Sequence, residues 1–151
     1  MTKLTATKEF KWEMAHMLTG HEGLCKNVHG HSYKMQVTVS RISRTILSGP
    51  SKGMVLDFSD LKKFVEKNIV EPLDHAFMID GSAEGLEKQL RQLLEGKSKL
   101  FIVMYRPTAE NMAQDFFQQI AEMLEEHFDN TVQLESVKVW ETATAFAEVR
   151  R

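Results

Sequence analysis

The sequence predicts an α+β fold, an antiparallel β-sheet with helices packed on one face. Three observations carry that prediction. Two early segments alternate apolar and polar residues, the mark of strands with one buried face. Later segments repeat apolar residues at helical spacing, and turn-forming clusters separate the two kinds. At 151 residues the chain reads as a single domain, residues 1–151, long enough to bury a substantial core.

The first alternating segment is 8–16, with Phe10, Trp12 and Met14 on one face and Lys11 and Glu13 on the other. His16 shares the apolar parity and so points toward the core or a pocket. Residues 18–28 read as loop, with Gly20, Gly23 and Asn27. Alternation resumes with Tyr33, Met35, Val37 and Val39 against Lys34, Gln36, Thr38 and Ser40, and His29 and His31 extend its apolar parity backwards. Ser48-Gly49-Pro50-Ser51 is a turn cluster, and residues 54–56 follow as a short strand.

Ser59 is expected to cap a helix bearing Leu61, Phe64, Val65 and Ile69, with Pro72 ending it. Leu73-Asp74-His75 then emerges just beyond the helix. Residues 84–94 are rich in helix formers and carry Leu86, Leu90, Leu93 and Leu94; residues 100–105 form a short apolar strand. Thr108 caps a further helix with a stripe of Met112, Ala113, Phe116, Phe117, Ile120, Met123 and Leu124. Residues 133–141 and about 145–150 are the final strands.

Composition excludes several functions. With 42% hydrophobic and 26% charged residues the chain is an ordinary soluble one, and a net charge of −2 gives no electrostatic case for nucleic acid or an anionic membrane. A single cysteine cannot form an internal disulfide. The first residues lack the apolar core of a signal peptide, and no apolar run approaches the ~20 residues of a membrane helix. A cytoplasmic protein is expected.

The chemistry concentrates in Cys25-Lys26-Asn27-Val28-His29-Gly30-His31, which holds the only cysteine and two of the six histidines. Residues two apart on a strand project to the same side, roughly 7 Å apart, so both imidazoles can turn toward one ion. His16 joins them by parity. Three histidines with an open fourth position are the mark of catalytic zinc, and imidazole suits that metal. Cys25 admits three readings: an inert thiol, a fourth ligand that closes the site, or a thiol activated as base or nucleophile. Spacing leaves them open. Asp74-His75 is either a capping Asp beside an exposed His or a carboxylate-oriented proton shuttle. Glu141 continues the inward parity of Val137 and Val139, so it lies at a wet strand end or receives a cationic or donor-rich group. Glu110 falls in a helix first turn, where an anion is favoured. His21 and His127 read as loop and helix-surface residues.

His16, the Cys25-x-x-x-His29-Gly-His31 block, Gly53-Met54-Val55-Leu56-Asp57-Phe58, Leu73-Asp74-His75, Pro107-Thr108-Ala109-Glu110 and Glu141-Thr142 occur in one order. Together they resemble the 6-pyruvoyl-tetrahydropterin synthase superfamily. The three residues between Cys25 and His29 most resemble its queuosine-pathway branch, the 6-carboxy-5,6,7,8-tetrahydropterin synthases. The resemblance implies a tunnelling fold, an open sheet that closes into a barrel by homo-oligomerisation as a hexamer or tetramer. It implies Zn2+ on His16, His29 and His31, with Cys25 as base rather than ligand. Asp74 and His75 would form a second proton-transfer unit, Glu141 would anchor the pterin ring, and Thr108 and Glu110 would line the pocket. The implied reaction converts 7,8-dihydroneopterin triphosphate to 6-carboxy-5,6,7,8-tetrahydropterin, acetaldehyde and triphosphate, with no nucleic-acid or membrane partner. The alternatives are 6-pyruvoyl-tetrahydropterin formation without side-chain cleavage, and a non-catalytic zinc-stabilised module with a closed Cys-His₃ site. A segment at about 80–106 is longer than in compact members of the branch and would remodel a subunit contact or shield the pocket.

Overall fold

A long two-stranded ribbon organises the rest of the chain. In the computed structural model, which describes residues 2–151, β1 (Thr5–His16) and β2 (His29–Arg41) pair antiparallel without interruption from Thr5↔Ser40 to His16↔His29. The predicted alternation is the reason: Phe10, Trp12, Met14, Tyr33, Met35, Val37 and Val39 are all buried on one face. Next, α1 (Phe58–Val65), a π-helical turn (Glu66–Val70) and α2 (Glu71–Leu73) run end to end. β3 (Ala76–Asp80), α3 (Leu86–Leu94), β4 (Leu100–Val103), α4 (Ala109–Phe128), β5 (Val132–Trp140) and β6 (Phe146–Arg150) complete the chain.

The six strands form one sheet in the order β4-β3-β1-β2-β5-β6. The α+β class holds, but the sheet is mixed: β3 runs parallel to β1 and β4 parallel to β3. No strand was expected at 76–80. Ala76, Phe77, Met78, Ile79 and Asp80 are all buried, so the strand shows none of the alternation that betrays a half-exposed one. α4 lies across the apolar face through Met112, Ala113, Phe116, Ile120 and Leu124. There Trp12 stacks on Tyr33 with ring centres 5.5 Å apart and meets Phe116 edge-on at 6.0 Å.

Other boundaries moved for local reasons. Residues 54–56 form no strand; instead Ile46 and Met54 share a backbone bond of 2.8 Å, and the Val55 carbonyl accepts from Arg41 Nε at 2.6 Å. Asp57, not Ser59, caps α1, its carboxylate accepting from the Ser59 N–H at 2.8 Å. Pro72 does not end the helix but sits in the last turn, directly after the π-helical turn. Thr108 caps α4 as expected, accepting from the Asn111 N–H at 3.2 Å. α3 starts at Leu86, after Gly85 at φ 75°, and none of its residues is fully buried. No helix is long and apolar enough to cross a membrane among the described residues.

Candidate active site

The antiparallel register brings His16 directly opposite His29, with His31 two residues further along β2 opposite Met14. The tight step between the two β2 histidines is a glycine because a Cβ on Gly30 would stand 3.3 Å from the Met14 carbonyl oxygen. One ring nitrogen from each of the three histidines lies within 4.8 Å of the other two. His16 is completely buried, at 0% exposure, whereas His29 and His31 are half-buried. Among the described residues this group does not include Cys25.

The hydrogen bonds around the rings fix what the cluster can hold. His16 Nδ1 lies 2.8 Å from the Pro107 carbonyl, and His29 Nδ1 lies 2.7 Å from the Asn27 carbonyl. A carbonyl only accepts, so both Nδ1 atoms carry hydrogen, and in the neutral rings both Nε2 atoms present lone pairs. Those two Nε2 atoms are 3.1 Å apart. Two facing lone pairs at that distance repel unless a cation lies between them. His31 Nε2 is likewise buried with no hydrogen-bond partner. Glu141 adds a fourth acceptor, its Oε1 3.2 Å from His16 Nε2 and 3.6 Å from His31 Nε2. Two lone-pair nitrogens, a carboxylate oxygen and the unpartnered His31 Nε2 converge, and a metal cation fits that set. Carbonyl-held Nδ1 atoms are the usual way to orient ligating histidines.

The electrostatics agree. The His16 ring beside it, foremost, holds the Glu141 carboxyl below its ordinary range against partial burial. Burial pushes the His31 imidazole below its ordinary range, and its neighbours His16 and His29 push the same way against the pull of Glu141. Burial, with the Glu141 charge second, pushes the Tyr33 phenol upward; its hydroxyl stands 3.3 Å from His16 Nδ1.

Asp74 and His75 do face each other, with His75 Nδ1 3.1 Å from Asp74 Oδ2. Both are tied to β1 at one residue. The Glu13 N–H donates to Asp74 Oδ1 at 3.0 Å, and the His75 N–H donates to the Glu13 carbonyl at 2.7 Å. The Glu13 N–H is the main cause holding the Asp74 carboxyl below its usual value, with His75 and Lys99 contributing after it. His75 and His31 line one groove of about 350 Å³ together with Glu13, Gly30 and Ser32. A larger cavity of about 700 Å³ lies between α3 and the ends of β3 and β4, and none of these chemical groups lines it.

The remaining candidates fall around this centre. Cys25 is half-buried in a short 3₁₀ turn (Leu24–Lys26), its carbonyl accepting from the Leu18 N–H at 2.9 Å. Thr108 spends its hydroxyl on the α4 cap, one residue after the carbonyl that orients His16. Glu110 is exposed beside Phe146, Ala147 and Glu148 of β6 rather than at the histidines. His21 is an exposed loop residue and His127 an exposed one on α4. Sequence reasoning missed the backbone partners Asn27, Pro107 and Glu13. Only Pro107 carried a signal, through its place in the Pro-Thr-Ala-Glu run.

Comparison with known proteins bears on the same residues. Residues 5–151 match the family described as 6-pyruvoyl tetrahydropterin synthase. A 6-carboxy-5,6,7,8-tetrahydropterin synthase from Haemophilus influenzae is 44% identical over 143 residues, covering 94% of this chain and 95% of its own. A protein of the same name from Aquifex aeolicus is 37% identical over 129 residues, covering 83% and 75%. The solved 6-pyruvoyl tetrahydropterin synthase of Plasmodium vivax shares the fold, with a TM-score of 0.67 at 20% identity over 97% of this chain and 98% of that one. With that match spanning the three histidines, Asp74-His75 and Glu141 alike, the chain belongs to the 6-pyruvoyl tetrahydropterin synthase family.

Proposed function

We propose that the protein is a zinc-dependent 6-carboxy-5,6,7,8-tetrahydropterin synthase, a lyase acting on 7,8-dihydroneopterin triphosphate in the pathway to queuosine. The observation that carries the reading is the convergence of ring nitrogens from His16, His29 and His31, with His31 lining a groove shared with His75. The substrate comes from the name borne by relatives 44% and 37% identical.

His16, His29 and His31 hold the zinc. When bound, the metal supplies Lewis acidity that makes protons on the substrate side chain easier to remove. Cys25 takes a proton at the side-chain carbon, and its position outside the histidine group supports a base rather than a ligand. Asp74 orients His75 through the 3.1 Å contact, and the pair carries the hydroxyl protons. Glu141, the carboxylate beside His16, accepts the N–H donors of the pterin ring. Loss of triphosphate, uptake of one water and cleavage of the side chain leave 6-carboxy-5,6,7,8-tetrahydropterin and acetaldehyde.

The working unit is an assembly of identical chains, hexamer or tetramer. The outer edges of β4 and β6 are unpaired within the protomer, and pairing between copies removes such edges. A closed Cys-His₃ binding module fits less well, because Cys25 stands outside the group. Incubating purified protein with 7,8-dihydroneopterin triphosphate should yield 6-carboxy-5,6,7,8-tetrahydropterin and acetaldehyde in equal amounts. A 6-pyruvoyl product without acetaldehyde assigns the sister reaction instead, and no turnover of the metal-loaded protein refutes the proposal.

A further inference from the structure

We infer that Lys99 is a positioning residue that locks the turn carrying Asp74 and His75. The turn is unusual in its backbone. His75 has φ 59°, in the left-handed region that residues bearing a Cβ seldom adopt. Such a conformation persists only where its surroundings over-determine it. In a continuing helix the His75 N–H would close on the carbonyl of Glu71, four residues back. Here it donates to the Glu13 carbonyl of β1 instead, at 2.7 Å. The Glu71 carbonyl is thereby orphaned.

Lys99 takes over that carbonyl. Its Nζ donates to the Glu71 backbone carbonyl at 2.5 Å and to the Asp74 backbone carbonyl at 2.8 Å, so one ammonium spans the turn from the last helical residues to the backbone of the residue that bears the carboxylate. The charge also stands at the negative end of the helical run, where a cation is favoured. Lys99 is held at its backbone as well: its carbonyl accepts from the Phe77 N–H at 2.8 Å, at the start of the β3–β4 ladder. The turn is thus gripped from β1 on one side and from the residue before β4 on the other. The long segment containing α3 has a task in this arrangement, because it ends on the residue that fixes the acid–base pair. α3 itself is little buried, so the segment contributes more to the site than to the core.

The inference rests on the proposed reaction for its catalytic consequence but not for its structural one, and two readouts separate them. Lys99→Met removes the ammonium and keeps the stem; Lys99→Arg restores a cation with several donors. With 7,8-dihydroneopterin triphosphate, Lys99→Met should lower kcat by about 10- to 100-fold, as misplacement of a proton-transfer group does. Its KM and metal content should remain those of the wild type, and Lys99→Arg should recover most of the kcat. Independently of turnover, amide hydrogen exchange at His75 should accelerate in Lys99→Met while Met35 in the β1–β2 ladder keeps its protection. A wild type that fails to turn over refutes the proposed reaction and leaves the exchange result to decide on Lys99. Unchanged exchange at His75, unchanged kcat in an active enzyme, or a loss that Lys99→Arg does not restore overturns the inference.

Discussion

Stripping the metal should weaken the protein without unfolding it. All three histidines come from one ribbon, at the end of a register that is continuous from Thr5↔Ser40. The core beneath α4 is built from apolar contacts among Phe10, Trp12, Tyr33, Met35, Phe116 and Ile120, none of which needs the ion to pack. A metal held by the three histidines would therefore add linkage energy to a fold that already stands. A ligand that binds only the folded state contributes about 2.7 kcal/mol at a hundredfold excess over its Kd. For a chain of this length each kcal/mol moves Tm by about 2–4 °C, giving a rise of about 5–11 °C. Circular-dichroism melts at one protein concentration, with zinc in excess and after chelation, measure the difference. His31→Ala should abolish the response while retaining the far-UV spectrum. A chelated protein unfolded at room temperature would show the metal to be structural, and a Tm indifferent to zinc would remove the metal site altogether.

Three further outcomes follow from the same geometry. Thr108→Ala should cost about 1 kcal/mol in urea unfolding, the usual worth of a helix cap, and Thr108→Ser should restore it. Glu141→Gln should lower kcat/KM by about 10- to 100-fold, since a hydrogen bond to a charged group contributes ~1.5–3 kcal/mol; a variant with wild-type kcat/KM places pterin recognition elsewhere. Asp74 has a folded pKa below its ordinary value of 3.8, so its contribution is present above that value and fades as pH falls through the lower folded one. Asp74→Asn should flatten that acid limb of the unfolding free energy. The effect is small, because the side chain is 43% exposed and screened.

Much of this architecture was legible in the sequence where one face of an element meets water. The parity of Phe10, Trp12 and Met14 placed His16 inward, and that of Tyr33 and Met35 did the same for His29 and His31, so the three-histidine cluster could be assembled from alternation alone. β3 escaped because burial on both faces erases alternation. The Asp57 cap, the π-helical turn before Pro72 and the left-handed His75 are set by local backbone geometry that several neighbouring residues could equally have provided. Contacts between distant segments were out of reach. Parity turned Glu141 inward, but its approach to His16 depends on how β5 continues past the ladder. Lys99 looked like any surface lysine until the Glu71 and Asp74 carbonyls had positions.

Within the Cys25–His31 stretch the proposed roles divide, with Cys25 for chemistry and His29 and His31 for the metal. Cys25→Ala tests that division most directly, with zinc per chain and turnover of 7,8-dihydroneopterin triphosphate measured on the same preparation. Wild-type zinc content and abolished turnover are expected, because the thiol stands outside the group formed by His16, His29 and His31. Loss of zinc together with activity would make Cys25 a ligand and refute its role as the base.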